Sequence, residues 1–555
     1  MKQELARPSR RQFLRQWLPD TLLDLPQEFA ETAVSQPQSS TLPEIGIIAL
    51  NRMGYGPRPG DLAAFNALSA TDQDRLYTYI DQQLDPDNIT DTDFETRLAA
   101  ANFATMNLSL SDMWGTYHRN PSGGNTTFRR TPTHELEVLT FMRAVYSKKQ
   151  LFEVLANFWH NHFSIYAWNL PEAAVYMSYD RDVIRANTLG NFRTMMEAVA
   201  KSTAMLYYLD NYANKDSGPN ENWARELLEL HAMGAENYMG VADPATVPKD
   251  GNGVAVAFVD EDVFELTRAF TGWTVSNSKT NVTIGDSGEF YYRTDWHDYG
   301  EKTFLGQTIA ANQPAMADTQ EALDIIASHI GTARFVCRKL VRRLVNDNPP
   351  NDLVESAAAL FQAQWQASDQ LKQVVRHILR SDAFQTTWGM KMKRPFELAA
   401  SALRAAEAEF AFDLVESNTS SLISQYDKIG QPLYAWHPPN GYPDVAAAWR
   451  SSTSFVMRWR YAAWATEKVD ANGNHHLPIN AQHPANLDTP NQIADYWIDR
   501  LLSRTIGSTE RQKIIDFLAQ DGDPNSPIDI TSNKGLKHIR TLAILIMNSP
   551  DFQWK

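Results

Sequence analysis

The residues best suited to chemistry lie in two short segments. One is Asn157-Phe158-Trp159-His160-Asn161-His162-Phe163, and the other is Asn220-Glu221-Asn222-Trp223-Ala224-Arg225-Glu226-Leu227-Leu228-Glu229-Leu230-His231. On a wheel of about 3.6 residues per turn, Leu151, Val154, Leu155, Phe158 and Ile165 share a face with His162 at its centre. His160 points the opposite way, beside Glu153 and Asn157, so only one of the two histidines is expected to face the core. In the second segment Trp223, Leu227, Leu228 and Leu230 form the apolar sector, His231 falls inside it and Glu226 sits at its border. Glu221, Arg225 and Glu229 follow one another at four-residue spacing on the other side, which suits ion pairs. A buried imidazole needs a hydrogen-bond partner or a metal, because its nitrogens are costly to leave unsatisfied. Three chemistries fit. Each histidine could be a core residue satisfied by a carboxylate or carbonyl. His162 and His231, with Glu229 or Glu226 and with His160 as a further donor, could hold iron, copper, zinc or manganese. The same groups could serve as metal-free general acids and bases. Two histidines and a carboxylate suit oxidation at non-haem iron, and a similar set can hold zinc for hydrolysis.

Other clusters are less specific. His297-Asp298, in a loop after Asp295-Trp296, could complete or flank such a site. Asp260-Glu261-Asp262 precedes a helix, where acids complement the helix dipole. Arg338, Lys339, Arg342 and Arg343 share one helix, and Lys391, Lys393 and Arg394 cluster later; in an acidic chain both sets are expected to pair with acids. Trp436-His437-Pro438-Pro439-Asn440-Gly441-Tyr442 reads as a rigid aromatic loop able to floor a cleft or close a core. The phosphate-loop, dinucleotide, nucleophile-elbow and His-Glu-x-x-His motifs are missing from the sequence.

The elements that must position these groups are mostly helical. Apolar residues recur at helical spacing over 60–84, 134–166, 171–211, 220–234, 261–272, 318–346, 352–365, 368–383, 395–415, 447–467, 490–504, 508–520 and 534–548. Strand signal is confined to 253–259 and 280–293, where Asp286-Ser287-Gly288 could turn a hairpin. The expected fold is mainly α, a multi-helix module with a small β-hairpin insertion at about 250–300. The 555 residues carry 51 Lys and Arg against 66 Asp and Glu, a net charge of −15 that excludes a basic nucleic-acid-binding surface over the whole chain. Apolar runs stay well short of the roughly 18 residues needed to span a bilayer. Cys337 is the single cysteine, so no intrachain disulfide and no cysteine-based metal cluster can form.

Ser9-Arg10-Arg11-Gln12-Phe13-Leu14-Arg15 is similar to a twin-arginine export signal, but Trp17-Leu18-Pro19-Asp20 follows in place of the required apolar segment. Residues 1–41 are therefore read as an N-terminal arm and linker, and 42–555 as one module. Leu50-Asn51-Arg52-Met53-Gly54-Tyr55-Gly56-Pro57, the two histidine segments, Phe270-Thr271-Gly272-Trp273-Thr274, His297-Asp298, Phe304-Leu305-Gly306 and Gly430-Gln431-Pro432 resemble the hallmark segments of the bacterial domain of unknown function 1800 family. The resemblance runs in order from about 42 to 553 and carries no established reaction. It implies an exported, periplasmic or extracellular protein, often encoded beside an exported sulfatase-like protein; the incomplete signal keeps a cytoplasmic location open. The expectation is a metal-dependent enzyme, with a lean toward oxidation, acting on an envelope protein or polysaccharide through His162, His231, Glu226, Glu229, Arg225, His297 and Asp298. The competing expectation is a non-enzymatic scaffold or assembly partner in which the same side chains form a buried network.

Overall fold

A computed structural model describes residues 42–119, 125–278, 285–409, 422–469 and 475–555. The export-like arm and linker of residues 1–41 lie outside the described residues, and the helix expected over 395–415 ends at Ala405, with 410–415 outside the described residues. The described chain is mainly helical, and its strands form two small antiparallel pairs. It divides into two compact units.

One unit comprises 42–78, Thr386–Pro432 and Asp444–Lys555. Its central helix, Asn533–Asn548, is apolar over Leu542, Ile544, Leu545, Ile546 and Met547, which are buried. Such a helix must be covered on most sides, and it packs on Ser452–Glu467, Pro490–Leu502 and Ser508–Ala519. Thr489 and Gln492 start the second of these with a reciprocal capping box. Here the basic cluster finds acids, as the charge balance leads one to expect: Lys391 pairs with Asp444 at 2.8 Å and Arg394 with Glu397 at 3.4 Å.

The other unit, Tyr79–Gln385 with Leu433–Pro443, holds both histidine segments. Several long periodic stretches are broken where a side chain captures the backbone. The stretch 134–166 is two helices, Thr131–Tyr146 and Gln150–His162, separated where Ser147 Oγ accepts the Lys149 N–H at 3.0 Å. Ala317–Ser328 and Ile330–Leu344 are separated by His329, whose Nδ1 accepts from Gly331 N. These are local bonds that compete with the helix ladder. Among the described residues, three helical segments also widen into π-helical turns, at Trp114–Arg119, Tyr179–Arg185 and Leu227–His231.

The expected β excursion is present with different pairing. The stretch 253–259 makes only isolated bridges, at Ala255 and Phe258. Phe290–Tyr292 pairs instead with Trp273–Val275, while Asp286 binds Trp114 Nε1 at 2.9 Å and the Ser278 hydroxyl. The expected strand's first part, 280–284, lies outside the described residues. A second pair, Lys302–Phe304 with Gln307–Ile309, turns through Leu305 and Gly306 at φ of 48° and 72°. Two successive positive φ values match the twist of a tight hairpin. A leucine is held there because its N–H is bound by Asp262 Oδ1 at 2.7 Å and its side chain is fully buried.

Candidate functional site

Helix Gln150–His162 ends at its two histidines, and both are buried. His162 lies against Phe158, Trp159, Phe163, Phe192 and the His231 ring, whose centroid is 6.0 Å away. The expectation that only one histidine faces the core is corrected, because His160 is covered from its other side. Its Nε2 meets Asp180 Oδ1 at 2.9 Å, and the rings of Tyr176, Tyr179 and Tyr434 surround it. A helical wheel registers the stripe of one helix; here the segment 172–185 supplies a second buried face. Asp180 also binds Arg143 at 2.9 Å. Burial pushes its carboxyl up, but Arg143, the His160 bond and Arg185 together outweigh that and hold it well below the usual range.

The second segment has Glu221 at the N-cap of its α-helix, without a side-chain capping bond, and Asn220 Oδ1, one residue earlier, accepts from Asn222 N at 3.1 Å. Its α-helix covers only Asn222–Glu226 and continues as the π-helical turn Leu227–His231. Gly234 closes that turn at φ 89°, donating to Leu228 O; a Cβ there would fall 2.5 Å from Glu236 and Phe335 side-chain atoms. A helix end leaves carbonyls without partners, and His162 Nε2 donates to His231 O at 2.9 Å. The His231 Nε2 donates in turn to Pro439 O at 3.3 Å. With both Nε2 atoms donating, each Nδ1 keeps a lone pair, and neither Nδ1 has a hydrogen-bond partner among the described residues. Burial, reinforced by Lys339, lowers both imidazoles, His162 well below its ordinary value and His231 to about 3.

The aromatic loop proves to be a strap on this unit. Trp168 Nε1 binds Leu433 O at 3.1 Å, Ala167 N binds Tyr434 O at 2.9 Å and the Tyr434 hydroxyl meets Thr140 at 2.6 Å. At its other end Asn161 makes two backbone bonds with Tyr442, at 2.8 and 2.9 Å. Between them, Tyr208 donates to His437 O, and the His437 ring stacks on Tyr166 at 3.7 Å. The strap thus touches both histidine segments. Gly441 makes the closest approach, at φ 72°, where an added Cβ would lie 2.0 Å from Asn161 O. Gly441→Ala is expected to loosen the strap, read as faster proteolytic cleavage within 433–443 than in the parent chain; unchanged cleavage would contradict the clamp.

Beside the strap, Glu172 and Glu226 form no ion pair among the described residues. Glu172, 6% exposed, begins helix Glu172–Ser178, and its Oε2 has no hydrogen-bond partner among the described residues. Burial, with Asp210 adding to it, pushes this carboxyl up to about 7 despite a bond from its own backbone. Burial and the nearby Glu229 also raise half-buried Glu226, against the opposing pull of Arg225. Burial raises the Tyr208 hydroxyl, and the fields of Glu226 and Glu172 raise it further. Its proton is committed to His437 O, so it presents the two acids with oxygen lone pairs. Glu172 was not singled out by sequence reasoning, because an acid in a first helical turn reads as a solvated dipole partner.

The remaining expected residues sit in separate networks. Arg225 meets Glu221 at 3.2 Å and both Glu229 and Asp260 at 3.3 Å, beside the Tyr238 hydroxyl. His297 binds Asp318 at 3.0 Å and Thr271 O at 2.9 Å, and Asp298 pairs with Arg268 at 2.7 Å. Among the described residues, no group of three or more His, Cys, Asp or Glu is arranged to hold a metal ion, and no helix is long and apolar enough to cross a membrane.

Comparison with protein families gives one finding: the family described as a protein of unknown function (DUF1800) matches residues 48–554, almost the whole chain. No curated protein and no solved structure matches it.

Proposed function

The chain belongs to the DUF1800 family, and from that premise we propose that it is a metal-free acid–base enzyme whose reacting groups are Glu172 and Glu226 beside the strap. The observation that carries this reading is the Glu172 carboxyl, buried, with one oxygen unpartnered and pushed to about 7. A carboxyl there can give or take a proton at neutral pH, which is the condition for general acid–base work. Such a group is a liability to stability, and its environment, in a cluster of raised groups near an exposed loop, is typical of functional sites. Glu226 supplies a second carboxyl of different exposure, so the two can hold opposite protonation states. The export habit of the family supports an envelope protein or polysaccharide as substrate, with the sulfatase-like neighbour as a candidate partner.

The test is incubation of purified protein with isolated cell-wall sacculi and with extracted envelope polysaccharide, reading new reducing ends and released fragments by mass spectrometry. Activity governed by a group titrating near pH 7, abolished in Glu172→Gln and in Glu226→Gln, is the expected result. Glu172→Gln should also be more stable than the parent by up to about 3 kcal/mol at pH 8, with little difference near pH 4.5. The sign follows from the raised value: the folded state favours the protonated acid, so stability is lost as pH rises from the unfolded value through 7. Full activity in both variants would overturn the reading.

One observation favours a second reading, a metal held by His162 and His231: their Nδ1 atoms are buried without partners. Elemental analysis of untagged protein beside a His162→Ala/His231→Ala variant tests it, with near-stoichiometric metal lost only from the variant as the supporting outcome.

A further inference from the structure

We propose that Lys393 is a modification site that takes up carbon dioxide, its buried side-chain amine becoming a carbamate inside a narrow cleft. This goes beyond the acid–base reading and does not depend on it, because Lys393 belongs to the other compact unit.

Of the basic cluster Lys391, Lys393 and Arg394, the middle member is left without an acid. Lys391 is paired with Asp444, and Arg394 with Glu397. Lys555 also claims Glu397, at 2.5 Å, and Arg504 claims Asp551 at 2.6 Å. Lys393 is 4% exposed, and among the described residues its Nζ makes no hydrogen bond or ion pair. Its backbone is fixed on both sides: the N–H donates to Gln553 O at 2.8 Å, and the carbonyl accepts from Arg458 Nη2 at 2.9 Å. Nζ lies 4.2 Å from the centroid of the Phe552 ring, a face that attracts a cation but offers its N–H groups no oxygen.

The amine is within reach of a small molecule. Lys393 lines a cleft of about 300 Å³ with Trp388, Leu501, Leu502, Arg504 and Phe552, and its Nζ, unlike the Trp388 Nε1, keeps contact with that space. Trp388 and Arg504 are the partly exposed members of the lining and bring the cleft to the surface. It admits little more than one water, which excludes a sugar or a peptide and passes a thin linear molecule. Burial, followed by Lys555 and Arg504 and against the pull of Glu397, lowers the amine to about 7. About half of it is then neutral at pH 7, with its lone pair free. That lone pair forms an N–C bond to carbon dioxide, one C=O π pair moves onto oxygen, and the nitrogen releases one proton to solvent. The product is a carboxylate, the acid that this cluster lacks. It stands in the field of Lys555 and Arg504, in a cleft where the Trp388 N–H has no acceptor among the described residues. An imine or an amide at the same nitrogen would give those cations no negative charge.

The test is equilibration of the full chain with isotopically labelled bicarbonate at pH 8, trapping of carbamate as its ethyl ester with triethyloxonium, and peptide mass spectrometry. Label is expected at Lys393, at least about tenfold above exposed Lys468 and Lys534, whose amines near 10.4 are almost wholly protonated at that pH. At pH 6 and the same dissolved carbon dioxide, occupancy should fall at least about tenfold, because the amine is then mostly protonated. Lys393→Arg keeps a charge and removes the nucleophile, and should abolish label from that peptide. Label at Lys393 no higher than at Lys468 and Lys534 would overturn the proposal as ordinary amine chemistry. Equal occupancy at pH 8 and pH 6, or label persisting in Lys393→Arg, would show that another group carries it and would also overturn it. No labelled product at all would overturn it outright. The mapping is made on the parent chain, so it stands even where the arginine variant fails to fold.

Discussion

Replacing Asp180 with asparagine is expected to cost about 3–5 kcal/mol, the price of stranding a buried charge by removing its partner. Asp180 is 2% exposed and lies between Arg143 and His160, at 2.9 Å from each. Asparagine keeps the shape but offers an amide where two donors and a positive charge need a carboxylate. Arg185 is also attracted to Asp180 but has Glu153 at 2.6 Å, so Arg143 bears most of the loss. Urea unfolding at pH 7 measures the change, and hydrogen exchange over 172–185 places it. A loss below about 1 kcal/mol would mean that Arg143 reaches water or another acid at little cost, and that the pair behaves as a surface bridge. The site in its low-pKa state contributes stability that is present above the ordinary aspartate range and disappears as pH falls through it.

Acidification from pH 7 to 5 should weaken the histidine core, by about 2 kcal/mol from His231 and by a further loss of the same sign from His162. Their values are lowered by burial, His231 to about 3. The unfolded chain therefore binds more protons below about 6.5, and stability falls with pH until the folded values are reached. Glu172 works the other way, because its raised carboxyl is relieved by protonation over the same window. By the same linkage it offsets about 2 kcal/mol of the histidine loss, so Glu172→Gln should lose about 2 kcal/mol more than the parent. Thermal or urea unfolding at pH 7, 6 and 5 on both proteins provides the comparison. Equal slopes for the two would mean that Glu172 does not carry its raised value. A flat profile in Glu172→Gln would show that the buried histidines accept protons freely, as a water-filled site would allow.

The two histidine networks suggest how the unit is ordered. His162 and His231 join the ends of two segments distant in sequence, and the Pro439 bond ties both to the strap. His160 reaches the same strap through Tyr434. A π-helical turn is unusual in a soluble protein and recurs at functional sites. At Leu227–His231 it carries His231 and follows directly on Glu226, so the irregular backbone and the unpaired acid are adjacent in the chain.

Periodicity alone was enough for the helices of Asn533–Asn548, Ser508–Ala519 and Pro490–Leu502, since an apolar stripe over several turns has few other solutions. The same arithmetic placed His162 and His231 on buried faces and predicted the Arg225 pairs with Glu221 and Glu229, because these depend on spacing within one helix. What a single helix does not contain was decided by tertiary structure. His160 is buried by a layer supplied by another segment, and Asp180 becomes its partner only when that layer packs. The turn at Leu305-Gly306 carries no turn residue at its first position, so only the Asp262 bond and a filled core hold leucine at positive φ. Glu172 reads in sequence as an ordinary helix-start acid. Its pairing deficit exists because folding buries it within the field of Asp210 and near a tyrosine already committed to the strap. Spacing along a chain specifies which side chains share a face, whereas desolvation and the loss of partners depend on which faces meet.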